Sequence, residues 1–321
     1  MDDQRLRVSI AMATYNGERF IREQLDSFAA QTRLPDELAV CDDGSTDATI
    51  EVVREFAATA PFHVRLECNS TNLGSNENFS KAVSMCSGDW IFFSDQDDRW
   101  HSEKISRVLE CFKDGIHVVT NDCMITDEHE NPWNTKLSNV RSLGLPDEAL
   151  ESGCCTAFTH HFAELAFPVP PEVAYDTWTC FLGDRLRLRA ILAEPLQIYR
   201  RHGRNLSNAS ISWRKPTWWK LAVRYGLKNP VEAWMRRCLF LDCCKDRILK
   251  RRQIAAKLAG ADNVMLALDE LATERQAYRM RTKILSSSRT QRLSEVLQMW
   301  RSGGYGYFGS WKSAAKDILR P

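Results

Sequence analysis

Apolar runs bounded by turn residues recur at 8–13, 38–41, 64–66, 90–93 and 116–120, a spacing of about 25 to 30 residues that suits a strand, a helix and the return to the next strand. Helical patterns lie between them. Asp47 precedes Ile50, Val53, Phe56 and Ala57, and Ser102 precedes Ile105, Val108, Leu109 and Phe112, each polar residue placed to cap the helix that follows. Strands this apolar are covered on both faces, so the alternation predicts an α/β fold around a mainly parallel sheet. Ligand chemistry is then expected at the carboxyl ends of the strands. Residues 121–175 break the rhythm. Asn131-Pro132, Gly144 and Pro168-Val169-Pro170-Pro171 there predict loops and an antiparallel excursion. After Ser210 the pattern turns helical and basic, with Trp213, Trp218, Trp219, Trp234, Trp300 and Trp311 set among Lys and Arg. Two parts are expected, residues 1–210 and 211–321.

Charge sharpens that division. The whole chain of 321 residues carries a net charge of only +1, from 43 Lys/Arg and 42 Asp/Glu. Residues 211–321 hold 23 of the basic and 9 of the acidic side chains, leaving 20 basic and 33 acidic in residues 1–210. The two parts therefore face different partners. Eleven cysteines do not imply a disulfide framework in a chain this long. The amino terminus, Met1-Asp2-Asp3-Gln4-Arg5, lacks the apolar run of a secretory signal, so reduced thiols and a cytoplasmic setting are expected, with Asn205-Leu206-Ser207 a chance match to a glycosylation site. No apolar stretch is long enough to span a bilayer.

Chemistry concentrates where the strands should end. The first closes on Thr14-Tyr15-Asn16-Gly17 and the second on Asp42-Asp43-Gly44-Ser45-Thr46-Asp47. An Asp there accepts hydrogen bonds from a base or a ribose, although the same run also makes a good turn and helix start. Ser94-Asp95-Gln96-Asp97-Asp98 follows the buried run 90–93. Three acids within four residues repel one another, and a hard divalent cation with oxygen ligands offsets that cost; a solvated acidic turn is the alternative. Asp176 lies between aromatic residues, in Tyr175-Asp176-Thr177-Trp178, a setting that suits a general base. His202, in Tyr199-Arg200-Arg201-His202, is either a metal ligand or a surface histidine, and its arginine neighbours either meet phosphate or carry surface charge.

Taken together, Tyr15-Asn16-Gly17, the run from Asp42 to Asp47, Asn72-Leu73-Gly74, Ser94-Asp95-Gln96-Asp97-Asp98-Arg99-Trp100 and Tyr199-Arg200-Arg201-His202 resemble family-two glycosyltransferases of the GT-A fold, over roughly residues 7–207. The Asp-Gln-Asp-Asp-x-Trp form most resembles bacterial rhamnosyltransferase-like members of polysaccharide and O-antigen pathways. The resemblance implies that Thr14, Tyr15, Asn16, Glu18, Asp43, Asn72, Asp95 and Arg201 bind a nucleotide-diphospho-sugar, dTDP- or UDP-linked, with Asp43 facing the base. It implies that Asp97 and His202 hold Mn²⁺ or Mg²⁺, and that Asp176 is the catalytic base of an inverting transfer to a glycan or lipid-linked acceptor. Two positions depart from the family pattern. Tyr175 stands where an acidic residue or histidine is usual, and the segment from Gly74 to Phe79 lacks an arginine often found in that helix.

Other signals point elsewhere or nowhere. Gly304-Tyr305-Gly306-Tyr307-Phe308-Gly309 matches GxGxxG, but no strand precedes it. Cys154-Cys155 and Cys243-Cys244 lack the spacing that shares a zinc ion and read as core thiols. A sugar nucleotidyltransferase would carry a Gly-rich basic loop where Thr14-Tyr15-Asn16-Gly17 stands, and a non-catalytic scaffold would have no use for the acids. The tryptophans and positive charge of residues 211–321 suit an anionic membrane surface at the cytoplasmic face of the inner membrane; packing on the catalytic part is the alternative, and no nucleic acid is expected.

Overall fold

The computed structural model describes residues 6–113, 115–171, 173–203, 205, 230–308 and 311–319. These fall into two compact units, one on either side of residues 206–229. Arg204, Trp213, Trp218 and Trp219 lie outside the described residues.

The first unit opens as the hydrophobic pattern dictates. Strand β1 (Val8–Thr14) leads to α1 (Ile21–Ala29), β2 (Glu37–Asp42) to α2 (Thr49–Ala57), β3 (His63–Cys68) to α3 (Ser75–Ser84), and β4 (Trp90–Ser94), through the short β5 (Arg99–Trp100), to α4 (Lys104–Leu109). Strands β1, β2, β3 and β4 pair in parallel. The antiparallel excursion follows. Strand β6 (Val118–Asp127) pairs antiparallel with β7 (Pro132–Thr135), and after α5 (Lys136–Ser142) strand β8 (Thr156–Thr159) inserts between β4 and β6, antiparallel to both. Helices α6 (His160–Ala166) and α7 (Tyr175–Arg185) precede β9 (Arg189–Arg201), which runs parallel to β6 and antiparallel to β5. The resulting order is β3-β2-β1-β4-β8-β6-β9-β5, with β7 beside β6. The sheet is thus mixed, parallel among its first four strands and again in the β6–β9 pair.

Alternation along β4 sorts the two faces. Phe92 joins Ile10, Leu25, Phe28, Val40, Val53 and Trp100 on one side. Phe93 faces the other, edge-on to Phe79, Phe158, Phe167 and Tyr175 at 4.9 to 5.9 Å. Helix starts are held less simply than the caps suggest. Asp47 accepts from the Thr49 N–H at 3.1 Å, one residue earlier than the first helical turn requires, and Glu18 accepts from the Ala48 N–H at 3.0 Å. The expected Ser102 cap on α4 is absent: the residue before the helix is Glu103, and the Ile105 N–H is instead satisfied by Gln31 Oε1 at 3.1 Å, at the end of α1.

At the opposite end of β2, Glu37 is buried beneath donors. Burial alone raises a carboxyl, but hydrogen bonds from Ser9 Oγ (2.6 Å), the Ser87 N–H (2.5 Å) and Arg65 (3.1 Å) bring it from 4.5 down to about 2. A depressed carboxyl stabilises the fold above its unfolded value and loses that contribution as pH falls toward its folded one, here between about 4.5 and 2. The contribution is about 3 kcal/mol at neutral pH, of which about 2 kcal/mol is gone by pH 3. The unfolding free energies of the natural chain and Glu37→Gln, measured in urea at pH 6 and pH 3, are therefore expected to converge by about 2 kcal/mol; a constant gap would remove this group from the acid response.

In the second unit, α8 (Pro230–Lys250) packs against α10 (Ala261–Ser286), with α9 (Arg252–Ala259) between them in sequence and α11 (Arg289–Arg301) and α12 (Trp311–Leu319) following. A buried ion pair ties α10 to α12, with Arg281 holding Asp317 at 2.9 and 3.2 Å and the Tyr305 hydroxyl adding a bond to Asp317 at 3.1 Å. The GxGxxG stretch thus contains a 3₁₀ turn, Gly304–Phe308, that packs into this helical core. None of the described helices is long and apolar enough to cross a membrane.

Candidate active site

The acids gather at the carboxyl end of β4, as the parallel part of the sheet requires. Asp95, Gln96, Asp97 and Asp98 leave the strand together and point in different directions. Asp98 goes inward and is fully buried, accepting from Gln197 Nε2 at 2.8 Å and from the Arg200 N–H at 3.3 Å. Lys104, also buried, donates to Gln197 Oε1 and to the Cys154 backbone carbonyl at 2.9 Å while lying 3.9 Å over the Trp100 ring. Gln197 of β9 therefore joins a buried ammonium to a buried carboxyl. Burial pushes Asp98 well above the usual carboxylate range, with Cys154, Asp97 and Asp95 adding to it, and burial lowers the Lys104 ammonium.

Asp97 faces the end of β9. Its Oδ2 lies 2.8 Å from His202 Nε2 and accepts from Asn205 Nδ2 at 3.2 Å; Asn205 Oδ1 in turn accepts the His202 N–H at 2.7 Å. Phe20 supports the imidazole, ring centroids 4.9 Å apart. Asp97 and His202, 105 residues apart in sequence, thus form one corner. Asp95 stands beside it, accepting from the Tyr175 hydroxyl at 3.2 Å. Burial and then the Asp97 charge push Asp95 up to about 7, with Lys136 and the Tyr175 hydrogen bond working against them. Tyr175 is fixed by stacking on Phe79, centroids 4.0 Å apart, and by Gly153, where a Cβ would lie 2.3 Å from the phenol. The residue that departs from the family pattern is therefore the one joining Asp95 to the head of α7, where Asp176 is the next residue and accepts from the Thr177 N–H at 2.7 Å.

The remaining expected residues have structural partners that define what is left for a ligand. Thr14 is buried, donating to Asp42 Oδ2 at 2.7 Å. Asn16 Oδ1 accepts from the Thr46 N–H at 2.9 Å, and Glu18 sits at the start of α2. Asp43 accepts from the Leu73 N–H (2.7 Å), the Gly74 N–H (2.8 Å) and Asn69 Nδ2 (2.9 Å), so three of its roughly four acceptor positions are used. Asn72 donates to the Asp43 carbonyl at 3.3 Å. Tyr15 remains about half exposed, its backbone clamped on both sides by Gln96: the Tyr15 N–H donates to Oε1 at 2.8 Å and Nε2 donates to the Tyr15 carbonyl at 2.9 Å. Arg201 is half-buried at the end of β9, while Arg200 is buried between Glu23 and Glu130 rather than turned to a phosphate.

Sequence reasoning missed Gln96, Lys104, Tyr175, Gln197 and Asn205 as members of the site. The signal for Gln96 was Gly17, whose Cβ would lie 2.3 Å from Gln96 Oε1. Because a side-chain end gives way more readily than backbone, Gly17→Ala is expected to break the clamp without unfolding the chain and, on the nucleotide-sugar role that the resemblance implies for this loop, to raise the donor KM about 10-fold, in line with the loss of two hydrogen bonds. Gln96→Ala should match it, and the double variant should lose nothing further; additive losses in steady-state kinetics would separate the two residues.

The donor set at this edge fits a hard divalent ion. Asp97 and His202 offer an oxygen and a nitrogen on a common corner, with the half-buried Asp95 adjacent. Among the described residues Asp95, Asp98 and Cys154 also bring three donor atoms within 4.8 Å of one another. That grouping suits Mn²⁺ or Mg²⁺ poorly. Asp98 is already hydrogen-bonded, and contact with Cys155 together with burial pushes the Cys154 thiol far up, away from the thiolate a metal requires.

Residues 9–189, more than half of the chain, match the family model described as Glycosyl transferase family 2. An uncharacterized protein of Mycobacterium tuberculosis is 28% identical over 221 residues, 66% of this chain and 63% of its own length, so the chain spans less than two thirds of that relative. The dTDP-rhamnosyl transferase RfbG of Shigella flexneri is 38% identical over 104 residues, covering 31% of this chain and 36% of that protein. Among solved structures, S. aureus TarS in complex with UDP-GlcNAc aligns over 98% of this chain and 82% of its own with a TM-score of 0.55 at 18% identity, a likeness of fold.

Proposed function

Because the chain belongs to glycosyl transferase family 2, we propose that it moves a sugar from a dTDP- or UDP-linked donor to a glycan or lipid-linked oligosaccharide acceptor, with inversion at the anomeric carbon, in bacterial surface polysaccharide synthesis. The observation that carries this reading is the joining of three chemistries at one sheet edge: Asp97 with His202, Asp95 with Tyr175, and Asp176 at the head of α7. The dTDP-rhamnosyl name of the Shigella relative supports the donor class.

In this mechanism Asp176 takes the proton of an acceptor hydroxyl as its oxygen forms a bond to the anomeric carbon. The bond from that carbon to the diphosphate oxygen breaks, and the electron pair leaves with the nucleoside diphosphate. One base opposite one leaving group gives inversion. Asp97 and His202, with Asp95, would hold Mn²⁺ or Mg²⁺, which when bound supplies positive charge to the departing diphosphate. Tyr15 and Asn16, on the loop clamped by Gln96, and Asp43 with Asn72 border the nucleotide. The test is thermal stabilisation by a panel of dTDP-, UDP- and GDP-sugars with and without Mn²⁺, followed by transfer assays with the sugar that stabilises most. A metal-dependent shift for one nucleotide class is expected. No shift with any donor would overturn the reading.

For the second unit we propose apposition to an anionic membrane. Leu293, Leu297 and Trp300 lie exposed at i, i+4 and i+7 of α11, and Trp311 and Ile318 at i and i+7 of α12, beside the exposed Arg301, Lys312 and Lys316. Co-flotation with vesicles of phosphatidylcholine and phosphatidylglycerol is expected, and it should fall in Trp300→Glu/Trp311→Glu; unchanged flotation would remove this face from the proposal.

A further inference from the structure

The end of β9 reaches the acidic loop only after its pairing with β6 has shifted register twice, between Asn121 and Met124, and its other neighbour there, β5, is two residues long. Backbone pairing alone leaves the offset of β9 loosely specified. A slip of one residue would turn its side chains to the opposite face and carry His202 away from Asp97. At this point the fold buries a polar array. Asp98, Gln197 and Lys104 are each 2% exposed or less. Apolar residues of similar volume often pack as well or better, and the best-attested use of a buried polar array is to specify one register.

The array has a direction. An ammonium only donates, so Lys104 meets Gln197 Oε1, and the amide Nε2 must then face Asp98, where it donates to Oδ2 at 2.8 Å. The Arg200 N–H donates to Oδ1 at 3.3 Å, so both oxygens of Asp98 accept. From there the bonds continue to the corner. Asn205 Nδ2 donates to the Arg200 carbonyl at 3.0 Å and to Asp97 Oδ2 at 3.2 Å, while Asn205 Oδ1 accepts the His202 N–H at 2.7 Å. His202 Nε2 lies 2.8 Å from Asp97 Oδ2, which closes the circuit on the residue next to Asp98.

We propose that Asp98 and Gln197 are positioning residues: the donor-to-acceptor order from Lys104 to Asp98 admits β9 in one register and thereby seats His202 against Asp97. The use of that seat for Mn²⁺ rests on the transfer reading above; the seating itself does not. The order can be reversed as a whole. Asp98→Asn is nearly isosteric but replaces one acceptor by an NH₂, which must oppose either Gln197 Nε2 or the Arg200 N–H. Gln197 cannot turn over to relieve this without pointing its own NH₂ at Lys104. Adding Gln197→Glu removes the conflict, because the new carboxylate accepts both from Lys104 and from the introduced amide, and the total charge equals that of the natural chain. Gln197→Met removes both bonds of the amide and serves where Asp98→Asn does not fold.

The experiment records the His202 Nε2 resonance in the full chain labelled with ¹⁵N-histidine, assigned by its loss in His202→Ala, together with calorimetric titration of Mn²⁺ in the presence of UDP. Asp98→Asn and Gln197→Met are expected to move the resonance and to weaken Mn²⁺ about 10-fold or more, the range that follows loss of a partner behind a metal ligand. The resonance of His117, at the opposite end of the sheet just before β6, should stay in place. Asp98→Asn/Gln197→Glu should return the His202 resonance to its natural position and restore the affinity. Failure of both single variants to fold, a His202 resonance unmoved in them, one that the double variant does not restore, or one that moves together with that of His117 would each overturn the positioning role and leave the transfer reading untouched. A natural chain that takes no Mn²⁺ with any nucleotide, but whose His202 follows the expected pattern, would leave the positioning role standing and defeat the metal part of the transfer reading alone.

Discussion

Asp176→Asn is expected to lower turnover about 1,000-fold while leaving donor affinity and thermal stability near those of the natural chain, within the range that removal of a general base produces. The substitution is close to a pure test of proton transfer. An amide oxygen still accepts the Thr177 N–H that Asp176 Oδ1 now accepts at 2.7 Å, so the start of α7 and the seating of Tyr175 against Asp95 are retained. Single-turnover kinetics with saturating donor measures the chemical step directly. Turnover retained within about 10-fold would take Asp176 out of the mechanism and direct attention to Glu151, which accepts from the Thr177 hydroxyl at 3.0 Å.

Asp97→Ala should be the other severe loss, at about 1,000-fold in kcat/KM, because charge stabilisation of a leaving diphosphate by a metal is worth several kcal/mol. Here the defect belongs to donor and cation together. Calorimetric titration with Mn²⁺ in the presence of nucleoside diphosphate should lose its binding signal, whereas Asp176→Asn keeps it. His202→Ala should show a milder form, since one carboxylate remains at the corner. Unimpaired turnover by Asp97→Ala in the presence of a chelator would defeat the metal reading and leave family membership untouched.

Much of the parallel half was legible because its strands are short, apolar and evenly spaced. The later half was not, and the reason is physical. Strand β8 is only Thr156–Thr159, with no alternation long enough to register, yet it separates β4 from β6. Strand β9 carries Glu194 and Pro195 in its middle, and Pro195 sits where the pairing with β6 shifts register, so it reads as a loop. In the site, the chemistry-bearing carboxylates were visible as a cluster, and the Asp97–His202 pairing needed only the resemblance. The supporting shell was invisible. Lys104 and Lys136 look like ordinary helix-surface charges in sequence, but both are buried, Lys136 bound to Ser152 at 2.8 Å and lying 3.3 Å over the Tyr199 ring. Asp43 shows the converse: a residue read as facing the base spends most of its hydrogen-bonding capacity on Leu73, Gly74 and Asn69.

The thirteen residues of β9 deliver Gln197 and Arg200 to the loop after β4, with His202 directly beyond them. Contacts spanning about a hundred positions form late during folding, since loop closure over that distance costs entropy before any bond repays it. A ribosome-bound chain that has emerged only as far as α7 would hold every acid of the cluster and the proposed base, yet have nothing opposite Asp97. On the proposed mechanism, the site is complete only once β9 has joined the sheet.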